Sequence, residues 1–469
     1  MNKENSQMLG HMPVKKLLIK LAIPAIAAMA INALYNFVDA LFVAWAPDGI
    51  KAVGALGIAY PVQMIILGIG IMIGIGSSSV FSRAFGRGDE AAMKRAVNTA
   101  LLLNLVLSAS ISIGSLIFME PLLTMFGANS ENVAYARDYL QIILIALIPF
   151  SLSITFNNLT RAEGRPKIAM ISLMIGAGLN IILDPLFIFD WGLGLGVTGA
   201  AWATAIGKTA SFLFVFFMAL TPKSSLMVDL KHFYRIDFGM IKEIIVVGLP
   251  SFVRTALGGV LIVIVNNLIN AYAPGGDQGA AVYISIYSVI NRLLRFSLMA
   301  GFGLVQGMIP IVGFNYGARY FQRLYDVIAY TSKLLLIYFG TVFIIVMIGA
   351  RYLFMIFGDP DAVPITNAVD FIEDGARAFR IVSLGFIFIT FQVILSSTYQ
   401  AMGYPARAFV VAVSRRFVFF LPFALLLTWL IGINGIWWTF FVADLLTGLG
   451  SYIVYRLEMK QLKQRITPV

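Results

Sequence analysis

Apolar stretches of about 20 residues or more recur along the whole chain, and little else fits between them. They lie near residues 18–46, 53–82, 95–118, 133–158, 168–190, 196–221, 242–272, 279–308, 323–350, 373–401, 407–430 and 435–456. A helix of that length crosses a hydrocarbon layer and satisfies its own backbone polar groups, which an open sheet in lipid cannot do. The expected fold is therefore an all-α membrane protein with about twelve transmembrane helices. Composition agrees: 59% of the 469 residues are hydrophobic and 12% are charged, where a soluble domain carries ~25% charged residues.

In a soluble protein the net charge of +11 would suggest nucleic acid. Here the basic residues gather in alternate short loops. Lys15, Lys16 and Lys20 precede the first span, and Arg83, Arg87, Lys94 and Arg95 follow the second. Arg161, Arg165 and Lys167 follow the fourth. Lys223, Lys231, Arg235 and Lys242 lie at mid-chain, Arg319 and Arg323 after the eighth span, and Arg456, Lys460, Lys463 and Arg465 at the end. The opposite loops carry Asp48, Glu120, Glu131, Asp190, Asp277, Asp359 and Asp361. The positive-inside rule then puts both termini in the cytoplasm of a plasma (inner) membrane protein, with no nucleic-acid partner expected. The early lysines run straight into a full-length span, so no cleavable signal peptide is expected. The chain has no Cys, and its two histidines, His11 and His232, sit in polar flanks. Thiol chemistry is excluded and a zinc site is not expected.

The two halves echo each other. "LAIPAIAAMAINALYN" near 21 parallels "VGLPSFVRTALGGVLI" near 247; "SRAFGRGDEAAMKRA" at 82 parallels "VGFNYGARYFQRLYD" at 312; "TRAEGRPKIAM" at 160 parallels "YQAMGYPARAF" at 399. A duplicated six-helix unit is expected, with an N-terminal lobe at 1–222, a cytoplasmic linker at 223–241 and a C-terminal lobe at 242–469. Two copies with an even number of spans share one orientation, which implies a cavity between two bundles.

Asp39 and Asp184 lie inside spans, where a carboxylate costs at least ~2.5 kcal/mol. Such groups persist when they face a polar cavity, bind an ion or carry a proton, so the pair points to an ion-coupled transporter. Asn180 and Asp184 are one turn apart on one helix face, and Pro185 frees a carbonyl one turn back. These oxygens suit H⁺ or a hard cation such as Na⁺; the alternative is a polar knot that holds helices together. Thr204 can add a hydroxyl oxygen. Lys208, one turn further on, argues against Na⁺ if it reaches either acid.

The second half has the opposite sign. Arg254, Arg292, Arg295, Arg415 and Arg416 face a single deep acid, Asp444. Either they form a basic cavity wall for carboxylate, phosphate or lipid headgroups, or they pair and snorkel. "GIGIMIGIGSSS" lacks the GK[ST] ending of a nucleotide loop and reads as close helix packing. No Ser/His, metal-ligand or paired-carboxylate constellation stands at a span end, so the chain is not expected to be an enzyme.

Together "IPAIAAMAINALYNFVDALFV", "IGIGSSSVFSRAFGRGDEAAMKRAVNTAL", "TRAEGRPK", "NIILDPLFIF", "GVTGAAWAT" and "GFGLVQGMIPIVGFNYGARY" resemble the MATE (multidrug and toxic compound extrusion) family, on the prokaryotic branch with an acid on the first span. The resemblance covers nearly the whole chain. It implies a V-shaped, two-bundle antiporter with alternating access, in which inward H⁺ or Na⁺ drives efflux of small amphipathic organic compounds. It places the cation site at Asp39, Asn180, Asp184 and Thr204, with Asp39, Asn180 and Asp184 as metal ligands if the ion is Na⁺. It assigns bending of the first span to Pro24 and a polar substrate cavity to Asn32, Tyr35 and Asn157. Arg254, Arg292 and Arg295 depart from the family pattern for organic cations. They leave open an exporter or flippase of anionic or lipid-like substrates. No cofactor beyond the coupling ion is expected; the partners are a small-molecule substrate and the lipid bilayer, and a monomer suffices.

Overall fold

The computed structural model describes residues 3–45, 49–125, 133–229, 236–357 and 370–466, without the side chains of 3, 40, 44 and 49–61. Asp48, Glu131, Lys231, His232, Arg235, Asp359 and Asp361 therefore lie outside the described residues. Among the described residues there are helices and turns but no strand.

A short α1 (Lys3–His11) leads into α2 (Val14–Ala44), α3 (Gly49–Arg87), α4 (Glu90–Ile117), a short α5 (Met119–Met125), α6 (Val133–Ile145), α7 (Leu147–Ala162), α8 (Pro166–Ile188) and α9 (Gly196–Ala219). After the linker come α10 (Phe238–Tyr272), α11 (Gly276–Gly317), α12 (Phe321–Met355), α13 (Phe371–Ser383), α14 (Phe386–Met402), α15 (Pro405–Val413), a π-helical segment (Ser414–Phe420), α16 (Leu421–Ile431) and α17 (Asn434–Ile466). Among the described residues, ten helices are long and apolar enough to cross a membrane. Two bent pairs, α6–α7 at 52° and α13–α14 at 46°, raise the number to twelve if each pair is one span. Ile117 and Ile348 are 70% and 72% exposed while Asp184 is fully buried. That inversion of the soluble pattern fits an apolar surrounding.

Local chemistry sets the helix ends. Asp89 caps α4 by accepting a hydrogen bond from the Ala92 amide at 2.9 Å, and Asp370 caps α13 through the amides of Ile372 and Glu373. Pro166 opens α8, where its missing N–H costs nothing. Pro24, Pro185, Pro250 and Pro310 lie inside α2, α8, α10 and α11, and each helix continues through its proline.

The chain forms two compact units. One comprises Met1–Ala256, Gln306–Tyr320 and Gln400–Pro405; the other comprises Leu257–Val305, Phe321–Tyr399 and Ala406–Val469. Within the first unit, small residues permit close packing. The start of α10 and the end of α11 approach the first unit's helices too closely for a side chain. A Cβ on Gly307 would lie 2.7 Å from the Ala22 backbone of α2, and one on Gly248 would collide with the Met72 carbonyl of α3.

Much of the linker is tied to the first unit. Glu163, fully buried after α7, accepts hydrogen bonds from the Ser225 amide (2.7 Å) and the Ser224 hydroxyl (3.0 Å) and pairs with Arg165 (3.1 Å). Asp229 pairs with Lys94, Asp237 with Arg95, and Glu243 of α10 with Arg83.

Candidate functional site: an acidic pocket among α2, α8 and α9

Helices α8 and α9 meet at two glycines. A Cβ on Gly207 would lie 2.5 Å from the Gly176 carbonyl oxygen, and one on Gly176 would lie 3.0 Å from that of Gly207. Without side chains there, the backbones close together, and the polar groups one turn away come within bonding distance. The Asn180 Nδ2 donates to Asp184 Oδ1 at 3.1 Å and to Thr204 Oγ1 at 3.2 Å. From α2, the Tyr35 hydroxyl stands 3.5 Å from Thr204 Oγ1. Asp39, one turn after Tyr35, brings its carboxyl within hydrogen-bonding reach of the Asp184 carboxyl.

Two carboxylates cannot hydrogen-bond to each other, because neither carries a donor. A shared proton or a bridging cation would relieve the repulsion between them. Three buried oxygens point the same way: Asp39 Oδ1, Asp184 Oδ2 and Asn180 Oδ1 have no hydrogen-bond partner among the described residues. Leaving such groups unmet is costly at this depth. No group of three or more His, Cys, Asp or Glu that could hold a metal occurs among the described residues. A metal ion here would rest on two carboxylates plus amide and hydroxyl oxygens, a donor set suited to Na⁺ rather than to a transition metal.

The residues named from the sequence fall in several places. Asp39, Asn180, Asp184, Thr204 and Tyr35 come together. Pro24 lies on α2, nearly three turns before Tyr35. Asn32 is exposed on α2, and its carbonyl accepts from Asn36 at 2.6 Å. Asn157 belongs to a separate knot: its Nδ2 donates to the Ser153 carbonyl (2.8 Å) and reaches Ser172 Oγ (3.3 Å), while Ser211 joins both serines at 2.8–2.9 Å. Arg254 lies in the first unit near the Ser251 hydroxyl (3.4 Å), and Arg292 and Arg295 are exposed on α11 in the second. Arg415 pairs with Asp444.

Two aromatic neighbours of the pocket escape sequence reasoning. Tyr139 of α6, which accepts from Gln63 at 3.0 Å, lies within electrostatic range of both acids. Phe150 of α7 faces Lys208, whose ammonium is 5.5 Å from that ring's centroid and 4.8 Å from the Tyr35 centroid. Aromatic residues are so common in these spans that only three-dimensional packing singles these out.

Ten to twelve candidate spans among the described residues, with two acids gathered between them, mark a polytopic membrane protein. The MatE family model matches residues 24–186 and 255–426, and the chain belongs to this family of MATE transporters. It is 26% identical over 462 residues to the multidrug export protein MepA of Staphylococcus aureus strain MSSA476, covering 97% of this chain and 95% of that one. Its fold is similar to the outward-facing conformation of a multidrug resistance MATE family transporter of the MOP superfamily, with a TM-score of 0.88, 25% identity, and 99% of this chain and 100% of that chain covered. A MATE structure in the bent conformation matches with a TM-score of 0.85 and 25% identity, covering 100% of both chains.

Proposed function

We propose that this chain is a secondary active exporter that couples inward flow of H⁺ or Na⁺ to efflux of small amphipathic organic compounds. One observation supports the coupling: Asp39 and Asp184 gather with Asn180 and Thr204, and Asp39 Oδ1, Asp184 Oδ2 and Asn180 Oδ1 have no hydrogen-bond partner among the described residues. The relatives named as multidrug exporters support the class of cargo. With both acids ionised the pocket favours one opening of the transporter. An ion arriving from outside neutralises it, α2 repacks, and cargo leaves. Such coupling requires the ion to bind the two conformations with different affinity. The proposal includes a monomer in the plasma membrane with both termini in the cytoplasm.

The test is uptake of a fluorescent organic cation into proteoliposomes under an imposed pH gradient, without and then with Na⁺. Gradient-driven uptake is expected, and Asp39→Asn and Asp184→Asn should each abolish it while the protein stays folded. Full transport by either variant would refute the assignment.

A second reading, export or flipping of anionic or lipid-like cargo, draws on Arg292 and Arg295. Both are exposed on the same face near the middle of a membrane-length helix, a costly position without water or an anionic partner. Under this reading Arg292→Ala abolishes transport and Asp39→Asn does not.

A further inference from the structure

Lys208 lies at the middle of α9, one turn beyond Thr204, too deep for its side chain to reach either end of the span comfortably. It makes no ion pair among the described residues. Its ammonium is instead held between the faces of Tyr35 and Phe150, at 4.8 and 5.5 Å from the ring centroids, a geometry that stabilises a cation. Tyr35 is also the residue that touches Thr204, so one aromatic ring links the ammonium to the oxygen cluster. Asp39 lies within electrostatic range of the ammonium. The chain therefore carries its own positive charge beside a donor set that would otherwise suit Na⁺.

We propose that Lys208 is the ion-specificity determinant of this pocket: a tethered cation, seated on Tyr35 and Phe150, that excludes Na⁺ and leaves H⁺ as the coupling ion. The proposal rests on the assignment of Asp39 and Asp184 as the coupling pair and goes beyond it by choosing the ion. The physics is charge competition. The acids supply at most two negative charges, and the ammonium already answers part of that demand. A second full positive charge brought among the same oxygens meets repulsion across a medium of intermediate dielectric. Protonation adds the same unit charge, but it is held by a covalent O–H bond on one carboxyl oxygen and needs no shell of oxygens, whereas Na⁺ depends on the charge and number of its ligand oxygens.

The experiment is equilibrium binding of radioactive Na⁺ to the purified full-length protein in lipid nanodiscs, at constant ionic strength with K⁺ as the replacement ion. The wild type is expected to show no saturable Na⁺ binding. Lys208→Met should gain it, with affinity raised by roughly tenfold or more, and a further Asp184→Asn change should remove it again. Lys208→Arg keeps the charge and should behave as the wild type; thermal unfolding confirms that each variant is folded. Saturable Na⁺ binding by the wild type at the affinity of Lys208→Met would overturn the proposal. So would folded Lys208→Met protein that gains no Na⁺ binding. Either result leaves the exporter reading intact, because that reading is tested by transport in the Asp39→Asn variant.

Discussion

Glu163, outside the spans, is a fully buried carboxyl. Burial pushes it up to about 7 from 4.5, against the opposing pull of Arg165, the Ser225 amide and the Ser224 hydroxyl. The folded chain therefore holds this proton where an unfolded chain has released it. The associated stability is complete below about pH 4.5 and is lost as pH rises through about 7. Glu163→Gln removes the titration, so the decline in thermal stability between pH 5 and 7, on the order of 3 kcal/mol for this group, should flatten. An unchanged slope in the variant would place the effect elsewhere. At the same scale, the Asn180–Asp184 pair was legible from its spacing alone. Asp39 stood out as a carboxylate inside a span and Thr204 as a nearby hydroxyl, but their grouping with Asn180 and Asp184 into one site came from resemblance to a family. Tyr139 and Phe150 left no local signal, because only folding brings α6 and α7 beside them.

Individual helices are held by contacts that substitution can break selectively. Gly207→Val puts a branched side chain where even a Cβ would lie 2.5 Å from the Gly176 carbonyl, which forces α8 and α9 apart at a cost of about 1–3 kcal/mol. Loss of the Asn180–Thr204 hydrogen bond should follow, and with it gradient-driven transport; a variant with wild-type transport would show that the close approach is dispensable. In the second unit, the π-helical segment places Arg415 against the buried Asp444, which also packs on Gly385 beside the α13–α14 bend. Asp444→Asn leaves a guanidinium unanswered and should cost about 3–5 kcal/mol, whereas changing both residues to apolar ones should cost far less. Unfolding midpoints of the single and double variants separate these cases. Periodicity foreshadowed neither the π-helical segment nor the two bends: hydropathy measures the length of a span, not its straightness. Pro149 near the start of α7 and Gly385 before α14 were the available hints.

For the whole molecule, the absence of cysteine makes topology directly measurable. Single cysteines placed at Ser6 and Lys463 should both react with an impermeant thiol reagent only in inverted vesicles, and one at Trp191 only in intact cells. Labelling of Ser6 and Lys463 from opposite sides would contradict an even number of spans. The spans and their repeat were readable because lipid imposes one length and one polarity on every crossing. The closest helix packing was not, because it depends on which positions lack side chains: Gly248 of α10 lies against Met72 and Gly307 of α11 against Ala22, all within the first unit. That same Gly307 contact fixes Ala22, two residues before Pro24 on α2. The start of α2 is thus clamped, while α8 and α9 are locked together at Gly176 and Gly207. Seen as a machine part, α2 has a clamped end beside Pro24 and an arm carrying Tyr35 and Asp39; under the proposed coupling, an ion at Asp184 would do its work on that arm.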